Sequence, residues 1–380
     1  MGIEMEAVTS KFGALKGVAE LFLGPRDVVG VDVGSYAIKV VLLKHEGSAV
    51  HLKAWGYLPL AAKAEASLDE RKISVVNALR AFFIEKGVKV KDVATALSGN
   101  SVIVRYVKFP RLTKTELQST LATEAEPFIP FDINEVQLGF HILSEIVEEG
   151  QKKMETVLVA AKKDVVAARL DILEECGLHP ALIDVDSFTL ENVNERAGNA
   201  KEGAATLYLN IGHMVTNLSI IENGVTRVVR DVFISGQTMA KAVMKAFQCE
   251  AAKADDLKKI YGVIVDPAEK EKALADGNRD ALGVSQAVGQ VARDLVGEVH
   301  RSVDFYLSQG PDRSIARIVL SGGSARAKNL DKHLSGELKV PVSVLDPFSF
   351  VKGAEVVPEE LRSAFGVAVG LALRQNRDWE

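Results

Sequence analysis

Two glycine turns have the makeup to grip phosphate. Asp32-Val33-Gly34-Ser35 and Asn210-Ile211-Gly212-His213 stand 178 positions apart in the chain. With Gly212 laid on Gly34, Asn210 falls on Asp32, and Leu218 and Ile220 fall on Val40 and Leu42. Glycine lets backbone approach phosphate closely because no Cβ intervenes, and successive amide N–H groups in such a turn form an anion nest. Asp32 cannot hold phosphate itself. A carboxylate there suits Mg²⁺, directly or through water, since that ion takes carboxylate, phosphate oxygen and water ligands. Gly322-Gly323-Ser324 and the Gly366–Gly370 stretch are read as further turns beside buried strands, and Ser321–Ser324 is expected to open a helix whose N-terminus favours anions. Strand alternation places Lys39 either toward a phosphate or toward solvent.

The elements around these turns are legible. "VVGVDVGSYAIKVVLL" (28–43) and "TLYLNIGHMVTNLSII" (206–221) each read as strand, turn, strand, and Asn223-Gly224 signals a hairpin after the second. A third strand is expected near 49–58. A helix is expected over 69–86, with Ile73, Val76, Leu79 and Phe83 inward. Thr113-x-x-Glu116 is a capping box, Pro127 and Pro130 break that helix, and two strands and a helix stopped by Gly177 follow. Residues 250–308 are helix-rich, and "PEELRSAFGVAVGLALR" reads as a closing helix with Pro358 in its first turn. Val8, Phe12, Leu15, Ala19 and Phe22 make one apolar helical face at the start of the chain. It either docks on its own domain, frays, or meets a partner or a membrane surface.

Composition narrows the class. The chain has 380 residues, 47% hydrophobic and 26% charged, which suggests about two soluble domains. A net charge of −5 argues against a nucleic-acid binder. Cys176 and Cys249 offer neither a disulfide framework nor a metal spacing. The apolar run Ser363–Leu373 is too short to span a bilayer, and "MGIEMEAVTS" has no basic region of a secretory signal. A cytoplasmic protein is expected. His45, His51, His141, His179, His300 and His333 have no acid partner at a telling spacing, so surface or capping roles are expected.

Taken in order, these motifs resemble the actin/Hsp70/sugar-kinase superfamily. Asp32, Gly34, Ser35 and Tyr36 look like its first phosphate loop, and Asn210, Gly212, His213 and Thr216 like its second. "VLSGGSAR" (319–326), with Gly322, Gly323, Ser324 and Arg326, resembles the adenosine motif. "AFGVAVG" (364–370) resembles the second connecting helix. "ALIDVDSFTL" (181–190) puts Asp186 at the position that orients the attacking water. "ADDLKKIYG" (254–262) resembles the helix over the nucleotide in FtsA-like members, with Asp255 and Lys258 facing it. Within the superfamily, "EAEPFIPFDINEVQLGF" (124–140), "GLHPALIDVDSFTLENV" and "RDVFISGQTMAKAVMKAF" resemble the PilM family of type IV pilus assembly proteins, over about residues 27–374.

The resemblance implies an α/β, actin-like (ribonuclease H-like) fold with duplicated βββαβα cores and a small inserted α+β subdomain. The expected divisions are an extension at 1–26, a first lobe at 27–109, 178–205 and 356–380, the insertion at 110–177, and a second lobe at 206–235 and 310–355, with a helix-rich part at 236–309. It implies ATP and Mg²⁺ in the cleft, the latter held by Asp32. It also implies docking of the cytoplasmic N-terminal segment of a PilN-like bitopic protein near the insertion, contact with pilus motor ATPases, and recruitment to the inner membrane by partners. Ring or homo-oligomer formation is open. Asn210 stands where active relatives carry Asp, and His213 and Met214 replace small residues, so slow or absent hydrolysis is implied; alternatively His213 is an exposed turn residue without a role. The competing readings are an active ATPase or small-molecule kinase of the same fold, or an FtsA-like division protein, the last disfavoured because the chain ends "LALRQNRDWE".

Overall fold

The computed structural model describes residues 26–61, 66–197 and 204–375. The amphipathic face expected at residues 8–22 lies outside them. β1 (Val29–Val33), β2 (Ala37–Glu46) and β3 (Ala49–Pro59) form an antiparallel meander. α1 (Leu68–Glu85) then returns the chain to β4 (Asp92–Leu97), parallel to β1. β5 (Val102–Pro110), α2 (Lys114–Ala125), β6 (Val136–Glu148), β7 (Gln151–Lys162) and α3 (Lys163–Glu175) follow, before β8 (His179–Val185) rejoins β4. α4 (Asp186–Arg196) leads to the second half.

That half repeats the plan. β9 (Ala205–Ile211), β10 (Thr216–Glu222) and β11 (Val225–Val232) form the meander. α5 (Gly236–Phe247), α6 (Ala251–Tyr261), α7 (Pro267–Ala275) and the 29-residue α8 (Arg279–Leu307) precede β12 (Ile315–Ser321), which is parallel to β9. α9 (Leu330–Leu338), β13 (Val342–Val344), β14 (Val351–Lys352), α10 (Glu359–Arg362) and α11 (Gly366–Ala372) complete the chain. The sheet orders are β14-β3-β2-β1-β4-β8 and β11-β10-β9-β12-β13. Apart from β14 the two sheets have the same strand order, which is the duplicated core expected from the two hairpins.

β9 is buried along its whole length and β1 over Val29–Val31, because both faces of their sheets are covered there. Between the sheets, Val41 and Leu43 of β2, Leu190 and Val193 of α4, Tyr208 of β9, and Phe365, Ala368 and Ala372 near and within α11 share one buried cluster. The lobes are therefore joined through a common core at their base. Close approach there depends on glycine. A Cβ at Gly30 would lie 2.2 Å from the Ala368 carbonyl oxygen, and one at Gly370 would lie 2.0 Å from that of Thr189.

Several local expectations change. Gly366 and Gly370 are not in a turn but inside the buried helix α11, where small residues let it press against α4 and β1. The closing helix is interrupted: Pro358 caps α10, Ser363–Phe365 tighten into a 3₁₀ turn, and α11 starts at Gly366. Ser321–Ser324 opens no helix directly. Gly322 has φ +90° and the chain turns through to Asn329 before α9. On α1, Ile73 is 59% exposed while Val75, Val76, Leu79, Phe82 and Phe83 are buried, a face rotated from the one expected. The three-stranded sheet runs β5-β7-β6, so β5 belongs with the insertion although 109 was the expected limit of the first lobe. Similarly, β14 pairs with β3 in the first sheet. The Thr113–Glu116 capping box is present, and Asn223 and Gly224 both take positive φ, as a tight hairpin demands.

Candidate functional site: a two-lobed cleft

The turn after β1 and the turn after β9 have the same construction. A Cβ at Gly34 would lie 2.8 Å from the Ala37 carbonyl oxygen, and one at Gly212 would lie 2.7 Å from that of Val215. Each turn therefore requires glycine at the same place, three residues before the carbonyl it presses against. The turns meet across the cleft. The Tyr36 and His213 rings lie 5.3 Å apart, tilted by 46°.

The first lobe gathers charge. Lys39 Nζ donates to Asp32 Oδ2 at 2.8 Å, with both side chains about 15% exposed. Lys39 thus points neither to open solvent nor away from the turn; it is held by the carboxylate one register pair across the hairpin. Asp186, the first residue of α4, accepts from Ser98 Oγ at 2.7 Å. Burial, then the nearby Asp32 charge, push its carboxyl up to about 7, opposed by the Ser98 hydrogen bond and the Arg169 charge. Arg169 reaches in from α3 and donates to Thr95 Oγ1 and the Ala96 carbonyl oxygen, each at 2.8 Å.

The second lobe answers with amides. Asn210 Nδ2 donates to Asn217 Oδ1 at 2.9 Å, and Asn217 Nδ2 donates to Asp231 Oδ1 at 2.6 Å. Asp231 Oδ2 accepts the Gly99 N–H of the first lobe at 2.6 Å. Burial raises the Asp231 carboxyl, opposed by these two donors. This chain of bonds ties the β9–β10 hairpin to the turn that carries Ser98, beside Asp186.

Around Gly212 the remaining glycines converge. The Gly212 carbonyl oxygen accepts from Gly236 N at 2.9 Å, and Ser324 N donates to the Ile211 carbonyl oxygen at 3.2 Å. A Cβ on Gly236 would strike Ser324 Oγ at 2.2 Å, and one on Gly322 the Ile211 carbonyl oxygen at 2.5 Å. Lys258, only 8% exposed, donates to Asp255 Oδ1 at 2.7 Å and to the Gly236 carbonyl oxygen at 3.2 Å. Burial raises the Tyr57 phenol to about 12, and the nearby Tyr36, Asp255 and Asp32 add to the shift. Ser35 sits beside Tyr36 in the first turn, and Gly323 continues the turn that Gly322 opens.

Two further residues of the expected set have partners within the protein. Thr216 is fully buried and its hydroxyl donates to the Ile234 carbonyl oxygen at 2.6 Å, fixing the link between β11 and α5. Arg326 reaches Glu359 at 3.4 Å. Sequence reasoning missed Ser98, Gly99, Arg169, Asp231 and Gly236. Leu97-Ser98-Gly99 repeats the strand–Ser–Gly pattern of Leu320-Ser321-Gly322 and could have been found that way; Asp231 and Arg169 carry no local signal. His45 does have an acid partner: its Nδ1 lies 2.6 Å from Asp27 Oδ1, brought there by β2 pairing with β1. Among the described residues, no group of three or more His, Cys, Asp or Glu is arranged to hold a metal, and no helix is long and apolar enough to cross a membrane.

Matching sheets, a shared basal core and facing glycine turns define an actin-like, two-lobed protein. The chain belongs to the family described as type IV pilus assembly protein PilM, whose model matches residues 30–376. It is similar to a solved "PilM-PilN type IV pilus biogenesis complex", with 26% identity, a TM-score of 0.77, and coverage of 92% of this chain and 98% of that one. It also shares its fold with ethanolamine utilization protein EutJ from Carboxydothermus hydrogenoformans, at 13% identity and a TM-score of 0.51, over 92% of this chain and 90% of that one.

Proposed function

We propose that this protein is an ATP-binding scaffold of the type IV pilus inner-membrane platform, in which nucleotide is a structural ligand of the cleft. The observation that carries the reading is the pair of glycine turns facing one another from the two lobes. Phosphates would lie between them, met by backbone N–H groups of both turns. Mg²⁺ would bring charge neutralisation to a bound triphosphate, and Asp32, through its oxygen not engaged by Lys39, would hold it or its water. Asn210 is neutral and its amide nitrogen already donates to Asn217, so this position, unlike Asp32 opposite, adds no anionic charge toward such an ion. That favours binding over turnover.

Membership of the PilM family and likeness to a PilM–PilN complex support a PilN-like N-terminal peptide as partner, near the β5-β7-β6 subdomain. Contact with pilus motor ATPases and recruitment to the cytoplasmic face of the inner membrane extend the same reading. The test is calorimetry of the full chain with ATP, with and without Mg²⁺, joined to a pull-down by a PilN-like N-terminal peptide with ATP, ADP and no nucleotide. Failure to bind nucleotide at millimolar concentration removes the ligand claim, and failure to hold the peptide removes the partner claim.

One observation favours a second reading, a competent ATPase. Asp186, with its carboxyl raised to about 7, has the proton affinity of a general base working at neutral pH. Turnover above about 1 s⁻¹, the low end of ordinary enzymes, decides for it.

A further inference from the structure

We propose that Tyr36 and His213 form an aromatic latch joining the two lobes at the phosphate end of the cleft, and that this latch sets how fast bound nucleotide leaves. The inference rests on the nucleotide reading given above. Its basis is that each ring is mounted on a turn fastened to its own lobe. The Tyr36 carbonyl oxygen accepts from Leu60 N at 3.0 Å, and the His213 carbonyl oxygen accepts from Gln237 N at 2.8 Å. Gly34 and Gly212 hold both turns tight, because each Cα sits against the carbonyl three residues further on. The ring contact, at 5.3 Å between centroids, therefore breaks only if a ring swings outward or the lobes part.

The duplication shows that the pair is a departure from symmetry. Tyr36 aligns with Met214, and Ser35 with His213. A repeated turn would set like against like; here each lobe contributes its ring from a different position. A second tie, from Asp231 to Gly99 N, joins the lobes elsewhere. The polar tie links β11 to the turn after β4, and the aromatic tie links the two phosphate turns. Tyr36 is 45% exposed, so its ring is free to leave the contact without disturbing a core.

The experiment follows displacement of a fluorescent N-methylanthraniloyl ATP from the full chain by excess ATP. Tyr36→Ala and His213→Ala each speed dissociation by about two- to tenfold, the factor an aromatic pair is worth. The double variant is no faster than the quicker single, because the two rings act as one contact. Tyr36→Phe, which keeps the ring, recovers most of the slow rate lost in Tyr36→Ala. Unchanged rates, or fully additive ones, overturn the latch. If the unaltered protein binds no nucleotide, the nucleotide reading fails, and with it the latch's effect on release. The contact is then decided separately by ¹³C-histidine NMR of the ligand-free chain, with the His213 signal identified by its loss in His213→Ala. A shift of that signal in Tyr36→Ala supports the contact, and no shift overturns it.

Discussion

Lys39 donates to Asp32 across the β1–β2 hairpin at 2.8 Å, and the corresponding rung of the β9–β10 hairpin holds Asn210 donating to Asn217 at 2.9 Å. The duplication kept the geometry and replaced an ion pair by an amide pair. In the first lobe the pair neutralises its own carboxylate. In the second, the amides pass a hydrogen bond onward to Asp231.

Breaking the first pair leaves a largely buried carboxylate without its cation. Lys39→Met is expected to cost about 1–3 kcal/mol in urea unfolding. Asp32→Asn combined with Lys39→Met recovers much of that, because the double change leaves no unpaired charge. A double variant less stable than Lys39→Met alone contradicts the pairing.

Asp186 makes stability depend on pH. Its folded carboxyl is raised to about 7 from an unfolded value near 4. Between these values the folded protein holds a proton that the unfolded chain has lost. Its contribution is thus present at acid pH and is lost as pH rises from about 4 to about 7. Asp186→Asn removes that slope, and urea unfolding measured at several pH values for both proteins checks it. An unchanged slope places the titration elsewhere.

Asp231 spans the lobes. Asp231→Asn keeps one acceptor oxygen but turns an amide toward either Gly99 N–H or Asn217, so one donor loses its partner. A cost of about 1–3 kcal/mol is expected, with faster amide hydrogen exchange at Gly99 than at surrounding β4 positions. Full protection of Gly99 in the variant rules out the tie.

Gly370 tests the interlobe core. Alanine in a helix gains roughly 1 kcal/mol over glycine, but a Cβ here meets the Thr189 carbonyl oxygen at 2.0 Å. Overpacking of about 1–3 kcal/mol wins, so Gly370→Ala lowers the melting temperature. Gly297 of α8, where a Cβ meets nothing within 4 Å, is the control; Gly297→Ala raises it. Equal shifts in both variants argue against a close crossing of α4 and α11.

The residues themselves determined the duplicated hairpins. Glycine turns between buried apolar strands repeat at one spacing, and both strand period and turn chemistry are local properties. The Thr113–Glu116 cap and the Asn223-Gly224 turn were legible for the same reason, since hydrogen bonds over three or four residues need no distant partner. Tertiary structure decided what glycine was for. Gly34 and Gly212 serve turns, but Gly30, Gly366 and Gly370 serve the close crossing of α11 with its neighbours, and sequence alone gives both kinds the same appearance. It likewise decided the partners of Lys39, Asp231, Arg169 and His45, because an ion pair or a buried hydrogen bond is set by which strands and helices meet. Chain order does not encode that meeting; it emerges only when two sheets share a core and bring their turns face to face.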